Sequence, residues 1–63
     1  MNLKARRLAL GLTQQQLADR AGMVYQQIQK WESGERDIKK MSLESAAALA
    51  KALEIPIEKL LED

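Results

Sequence analysis

The stretch VYQQIQKW, residues 24–31, places hydrogen-bonding side chains on one face of an expected helix. Val24, Ile28 and Trp31 fall at positions i, i+4 and i+7, which form one apolar stripe when the segment is helical. The side chains that point away from this stripe are Tyr25, Gln26, Gln29 and Lys30. Phenol and amide groups both donate and accept hydrogen bonds. Glu and Lys would serve solubility better, so this largely uncharged face requires another role.

The composition excludes most catalytic and metal chemistry. The chain contains no Cys and no His, which removes disulfides, thiolate and imidazole metal ligands and histidine general bases. No nucleophile–base pair, carboxylate cage or phosphate-binding loop is visible, and 63 residues form one domain, 1–63. We therefore expect a protein that is not an enzyme and has no cofactor, no metal and no small-molecule substrate.

Charge is distributed unevenly along the chain. Residues 1–40 hold eight basic and four acidic side chains, whereas residues 41–63 hold two basic and five acidic ones. The net charge of +1 therefore hides a basic first part and an acidic last part. This pattern predicts one positive and one negative face, although chance asymmetry on a small surface remains the simpler alternative.

Apolar periodicity and helix-ending residues predict five short helices and no strand, which is an all-α fold. The predicted helices cover residues 2–10, 14–21, 24–33 and 43–53 and a last segment that opens at Pro56. Thr13 and Gln16 have the spacing of a capping box at the start of the second helix. Leu43 is expected to begin the apolar face of the fourth helix, and no element is predicted between residues 34 and 42.

The second and third helices have the features of a tightly crossed pair. Ala18 is small enough to let the two helices approach closely, and Gly22 permits the positive φ that a tight turn between them needs. Leu17, Ile28 and Trp31 supply the apolar contacts that fix the crossing angle. This is the geometry of a helix-turn-helix, whose second helix can project into the major groove of DNA.

The segment LGLTQQQLADRAGMVYQQIQKWESGERDI resembles the Cro/C1-type (XRE) helix-turn-helix family of phage repressors and bacterial regulators. The resemblance runs from Leu3 to Leu61 and includes LTQQQLA, the glycine turn, WESG and LAKALEIPIEKLL. It implies a compact five-helix bundle of the lambda repressor-like type. It also implies a transcriptional regulator, in the first instance a repressor, that binds double-stranded DNA with its recognition helix, residues 24–33.

The resemblance also implies roles for individual residues. The side chains assigned to DNA bases are Tyr25, Gln26, Lys30 and, from its exposed position alone, Gln29. The side chains assigned to phosphates are Gln14, Gln27 and, from the loop after the third helix, Arg36, Lys39 and Lys40. Arg7 and Glu32 match a structural ion pair between the first and third helices. Val24 departs from the family pattern, because a Ser or Thr often caps the recognition helix there.

One recognition helix covers only a few base pairs, so the resemblance implies a homodimer on a pseudo-palindromic operator. The dimer surface is expected near Leu60 and Leu61. No segment has the length and hydropathy of a membrane span and no signal peptide opens the chain, so a cytoplasmic, nucleoid-associated protein without membrane contact is expected. The alternative is an antitoxin-like or other protein-interaction module on the same fold, with an apolar surface away from Tyr25 and Gln26.

Overall fold

The computed structural model of the protein describes residues 2–62, and over that range it contains helices and no strand. The α-helices are α1 (Leu3–Ala9), α2 (Gln14–Ala21), α3 (Tyr25–Ser33), α4 (Leu43–Ala52) and α5 (Ile57–Leu60). They pack into a body of 22 × 22 × 20 Å, which confirms the predicted all-α bundle. None of these helices is long and apolar enough to cross a membrane.

Side-chain caps explain where α1, α2 and α4 begin. The capping box predicted for α2 is confirmed, since the Gln16 amide donates to Thr13 Oγ1 over 3.0 Å and the Thr13 amide donates to Gln16 Oε1 over 2.9 Å. The side chains of Asn2 and Ser42 accept from backbone amides in the first turns of α1 and α4. Helix α3 is different, because its N-cap residue, Val24, makes no side-chain hydrogen bond.

The core lies where α2 packs against both α3 and α4, and where α4 packs against α5. Its largest fully buried side chains are Leu17, Ile28, Leu49, Leu53 and Leu60. Trp31 belongs to the same cluster and is only 8% exposed. The apolar face of α3 is therefore committed to the core, which fixes the direction of its opposite face.

Two residues that the sequence places on apolar stripes are exposed. Val24 is 59% exposed because it precedes the first helical residue with an extended backbone (φ −85°, ψ 145°), so the helical period that buries Ile28 does not apply to it. Leu43 is 77% exposed because it occupies the first position of α4, one turn ahead of the buried Ala46. Both predictions were wrong for the same reason: the helix reaches the core only after its first turn.

The connections contain two features that the sequence does not predict. A 3₁₀ helix, Ile38–Lys40, follows α3 and is capped by the Asp37 side chain, which accepts from the Lys39 amide over 2.9 Å. Between α4 and α5, Glu54 has φ +59°, a left-handed conformation that favours glycine. Pro56, expected inside the first turn of the last helix, is instead its N-cap.

Candidate nucleic-acid interface

Helices α2 and α3 are joined by a short turn that holds them in a crossed arrangement. Gly22 ends α2 with φ +67°, and the Met23 amide closes the turn by donating to the Ala18 carbonyl over 2.9 Å. Ala18 itself is fully buried, so the small residue lies in the core cluster with Ile28 of the second helix of the pair. The chain therefore forms a helix-turn-helix with α3 as its second helix.

The solvent-facing side of α3 carries all four side chains that the sequence assigns to bases. Gln26, Gln29 and Lys30 are exposed, and Tyr25 is 38% exposed. Residues three and four positions apart are neighbours on a helix surface, so Gln26 lies next to both Gln29 and Lys30. The structure thus brings these groups together on one face, with hydrogen-bond donors and acceptors directed away from the core.

Arg7 of α1 and Glu32 of α3 form a two-pronged ion pair behind this face. Arg7 Nε donates to Glu32 Oε2 over 2.7 Å, and Arg7 Nη2 donates to Oε1 over 3.0 Å. Arg7 Nη1 also donates to the Leu12 carbonyl over 2.7 Å, and the side chains of the pair are only 8% and 5% exposed. The pair therefore ties α3 to α1 and to Leu12, which leads into α2.

Gln14 adds a third partner to this ion pair. Its Nε2 donates to Glu32 Oε1 over 3.2 Å, and its side chain is half-buried. The side-chain amide nitrogen of Gln carries two N–H groups, and one of them is bonded to Glu32. Gln14 is also the first residue of α2. The sequence suggests a phosphate contact for Gln14 but gives no sign of this bond, which depends on how α2 and α3 cross.

The environment of the pair shifts the pKa of both groups. The hydrogen bond to Glu32 raises the pKa of the Arg7 guanidinium, against the opposing effect of burial. Burial alone would raise the pKa of Glu32, but hydrogen bonds from Arg7 and Gln14 and the charges of Arg7 and Lys4 outweigh it. The pKa of Glu32 therefore lies below its ordinary value, and the pair is ionised at neutral pH.

Four of the residues assigned to phosphates lie on α3 or in the segment that follows it. Gln27, Arg36 and Lys40 line one solvent-open hollow of about 470 Å³. The Arg36 amide donates to the Lys30 carbonyl over 3.1 Å, across the left-handed Gly34, and so fixes the start of the loop against α3. Lys39 is exposed in the 3₁₀ helix next to Lys40. Gln27 is half-buried, which leaves less of its amide available than the sequence suggests.

The dimer surface expected from the sequence needs a correction. Leu60 is fully buried against the core and has no surface to offer a second copy, whereas Leu61 is 38% exposed.

Sequence reasoning also assigned Val24 to the core, although it stands exposed directly before Tyr25. Its position ahead of the first helical turn was the signal that could have shown this.

Comparison with known proteins identifies the fold family. A family model described as Helix-turn-helix matches residues 3–60, which is nearly the whole chain. The chain belongs to the Cro/C1-type helix-turn-helix family. Membership of this Cro/C1-type family agrees with the resemblance carried by the motifs and with the crossed pair of α2 and α3.

A curated relative of this Cro/C1-type chain comes from Rhodospirillum rubrum and is named an uncharacterized transcriptional regulator in the ATPase CF(0) region. The two are 43% identical over 61 residues. The matched region covers 97% of this chain but 54% of the relative, so the chain spans about half the length of that protein. Neither the family nor the relative points to an enzyme.

Proposed function

We propose that this chain is a sequence-specific DNA-binding domain of a transcriptional regulator and that α3 lies in the major groove of double-stranded DNA. The observation that carries the proposal is the exposed face of α3, where Gln26 and Lys30 lie one turn apart on a helix anchored by the buried Ile28. A glutamine amide can bind adenine N6 and N7, and a lysine can donate to guanine O6 and N7. Neutral groups suit base edges, which present paired donors and acceptors.

Contacts to the DNA backbone would come from the residues beside that face. We assign Arg36, Lys39 and Lys40 to phosphates on the side of the loop, together with Gln27 and, at the N-terminus of α2, Gln14. Such contacts set the register of a protein on DNA and make its affinity depend on salt. The shared hollow of Gln27, Arg36 and Lys40 supports a common phosphate-binding role for these three side chains.

Tight binding would require two copies of the domain. A pseudo-palindromic operator with half-sites about 34 Å apart would be bound by a homodimer. Of the two leucines that the sequence suggests for the dimer surface, Leu61 is the exposed one. Bound in this way, the regulator would act as a repressor in the cytoplasm, on the nucleoid, by occupying its operator.

A protein-interaction module on the same fold is the second candidate, and one observation favours it. Leu43 is 77% exposed at the start of α4, outside the base-reading face of α3. An antitoxin-like protein would use such an apolar site to bind its partner. In that case Leu43→Asp would disrupt a protein complex while substitutions of Gln26 and Lys30 would leave it intact.

Selection of bound sequences from random duplex DNA, followed by titration at several salt concentrations, tests the DNA-binding proposal. We expect an enriched palindrome and a steep fall of affinity with salt. Gln26→Ala and Lys30→Ala should weaken binding and relax the preference at individual base pairs. The matched controls are Gln15→Ala, an exposed glutamine on α2, and Lys51→Ala, an exposed lysine on α4. Binding that ignores sequence and survives both test substitutions would refute the proposal.

A further inference from the structure

Five large hydrophobic side chains are exposed in the described part of the chain, and two of them are consecutive in sequence. These two are Val24 and Tyr25, at the front of α3. Leu8, Leu43 and Leu61, the other three, stand on three other helices or helix ends. The start of the recognition helix is therefore the place where this surface combines an aliphatic and an aromatic group.

The side chain of Val24 does not cap the helix that it precedes. It is 59% exposed and its side chain makes no capping bond, so one of the amides in the first turn of α3 lacks the partner that a hydroxyl would supply. Ser, Thr, Asp or Asn at an N-cap stabilises a helix by about 1 kcal/mol relative to an apolar residue. An exposed valine at this position is thus a poor choice for folding.

Under the proposed function, DNA would offer the methyl groups of Val24 a partner. In a helix-turn-helix bound to DNA, the N-terminal residues of the recognition helix approach the base edges. Of the four bases, only thymine presents a methyl group in the major groove, and apolar side chains contact it there. Valine is stiff about χ1, so its methyl groups are held in place before contact. Gln26, two residues further along the chain, is exposed and can hydrogen-bond to a neighbouring base.

We propose that Val24 is a specificity-determining residue whose methyl groups pack on the 5-methyl group of one thymine in each half-site. This inference rests on the proposed DNA-binding function and adds a base preference to it. Tyr25 and Gln26 then supply the polar part of the readout at the same end of α3. The missing helix cap accompanies this contact, because valine has a second methyl group where a threonine would have a capping hydroxyl.

Deoxyuridine substitution in the selected operator tests the contact. Deoxyuridine keeps the hydrogen-bonding edge of thymidine and lacks only its 5-methyl group. Replacing each thymine in turn should reveal one position per half-site where the wild-type protein loses about fourfold in affinity, the factor that corresponds to ~0.8 kcal/mol for one buried methyl(ene) group. Loss at no thymine would overturn the inference even if the operator is bound tightly.

The variant Val24→Ser separates base reading from a structural role. The serine hydroxyl should cap α3 and raise the thermal midpoint of unfolding, while the affinity for the thymine operator falls by about the same fourfold factor. On the deoxyuridine operator, the wild type and Val24→Ser should bind equally. Leu43→Ser, at an apolar residue that is even more exposed, is the matched control and should keep the full sensitivity to deoxyuridine.

Two further outcomes would contradict the proposed contact between Val24 and thymine. If Val24→Ser retains the wild-type sensitivity at the same thymine, another residue reads the methyl group and the inference is wrong. If Val24→Ser loses affinity equally on both operators, the valine acts on the helix and not on the base, which is also contrary to the inference. Absence of any duplex binding by the wild type would instead refute the proposed function itself.

Discussion

Arg7 and Glu32 lie 25 residues apart in the chain, yet they meet through two hydrogen bonds of 2.7 and 3.0 Å. Their side chains are almost completely buried. Glu32 also accepts from Gln14, so residues of α1, α2 and α3 converge on one carboxylate. Removing one partner of a buried pair leaves the other charge desolvated without compensation, which makes this the most sensitive polar position in the fold.

Glu32→Gln should therefore destabilise the domain by about 3–5 kcal/mol. A single-domain chain this small rarely has more stability than that, so we expect loss of far-UV helical signal at 25 °C or a large drop in the urea midpoint. Glu62→Gln removes an exposed carboxylate 3.6 Å from Lys59 and is the matched control. It should change stability by less than about 1 kcal/mol. Equal stability of the two variants would show that the buried pair contributes nothing.

Stability should fall in acid because the pKa of Glu32 is lowered on folding. A carboxylate with a depressed folded pKa stabilises the protein fully above its unfolded pKa, about 4.3 for glutamate. That contribution disappears as the pH falls below this value and through the folded pKa. A ¹³C NMR titration of the side-chain carboxylates should place the Glu32 midpoint below the ordinary value for glutamate, and the urea midpoint should decline over the same range. A midpoint at or above the ordinary value would contradict the assignment.

Glu54→Gly and Glu54→Asn should stabilise the protein. A side chain other than glycine in the left-handed region costs roughly 1–2 kcal/mol, and Glu54 has φ +59°. Glycine also gives the unfolded chain more freedom, so we expect a net gain of about 0.5–1 kcal/mol. Both variants remove the ion pair of Glu54 with Arg20, which contributes little because it joins exposed groups across 3.9 Å.

Glu58→Gly is the control for Glu54→Gly, because here glycine should lower the stability of the protein instead of raising it. Glu58 lies in helical backbone within α5, where glycine destabilises by about 1 kcal/mol. In chemical denaturation, the free energy of unfolding should be higher than wild type for Glu54→Gly and Glu54→Asn, and lower than wild type for Glu58→Gly. If Glu54→Gly were as destabilising as Glu58→Gly, the left-handed conformation of the turn would not be strained.

Substitutions in the loop after α3 should act on affinity without changing base preference. Arg36→Ala and Lys40→Ala each remove one proposed phosphate contact, so the slope of log affinity against log salt should become shallower by about 1 for each. Fluorescence anisotropy with several duplex sequences should show similar losses on all of them. Lys51→Ala, on α4, should leave the slope unchanged. A sequence-dependent loss would instead assign Arg36 or Lys40 to base reading.

The sequence alone was sufficient to predict the features that depend on residues close to one another in the chain. The Thr13–Gln16 capping box and the glycine that ends α2 depend on spacings of a few residues, and the structure shows both. Arg7 and Glu32 were paired only through resemblance to the family, because a contact between α1 and α3 requires the folded arrangement. Periodicity correctly placed the exposed polar face of α3, since Ile28 and Trp31 define its buried side.

The errors occur at helix ends, where periodicity stops being informative. Val24 and Leu43 have the spacing of core residues. Val24 precedes α3 and Leu43 is the first residue of α4, so their side chains are exposed and do not join the core. Gln14 could not be placed against Glu32 from sequence, because the bond joins residues 18 positions apart on crossing helices. A helical pattern indicates which side of a helix is apolar, but not how much of its length meets a partner.

Under the proposed function, the carboxylate of Glu32 has a consequence for the DNA duplex as well as for the protein. Glu32 belongs to α3 and is hydrogen-bonded to α1 and α2, so we expect it to oppose tilting of α3 relative to the other two helices. A protein that cannot adjust its angle leaves the adjustment to the DNA, whose bending and groove width depend on sequence. Under the proposed function, base pairs that no side chain touches would then influence affinity, because they set how readily the groove adopts the shape this fixed helix requires.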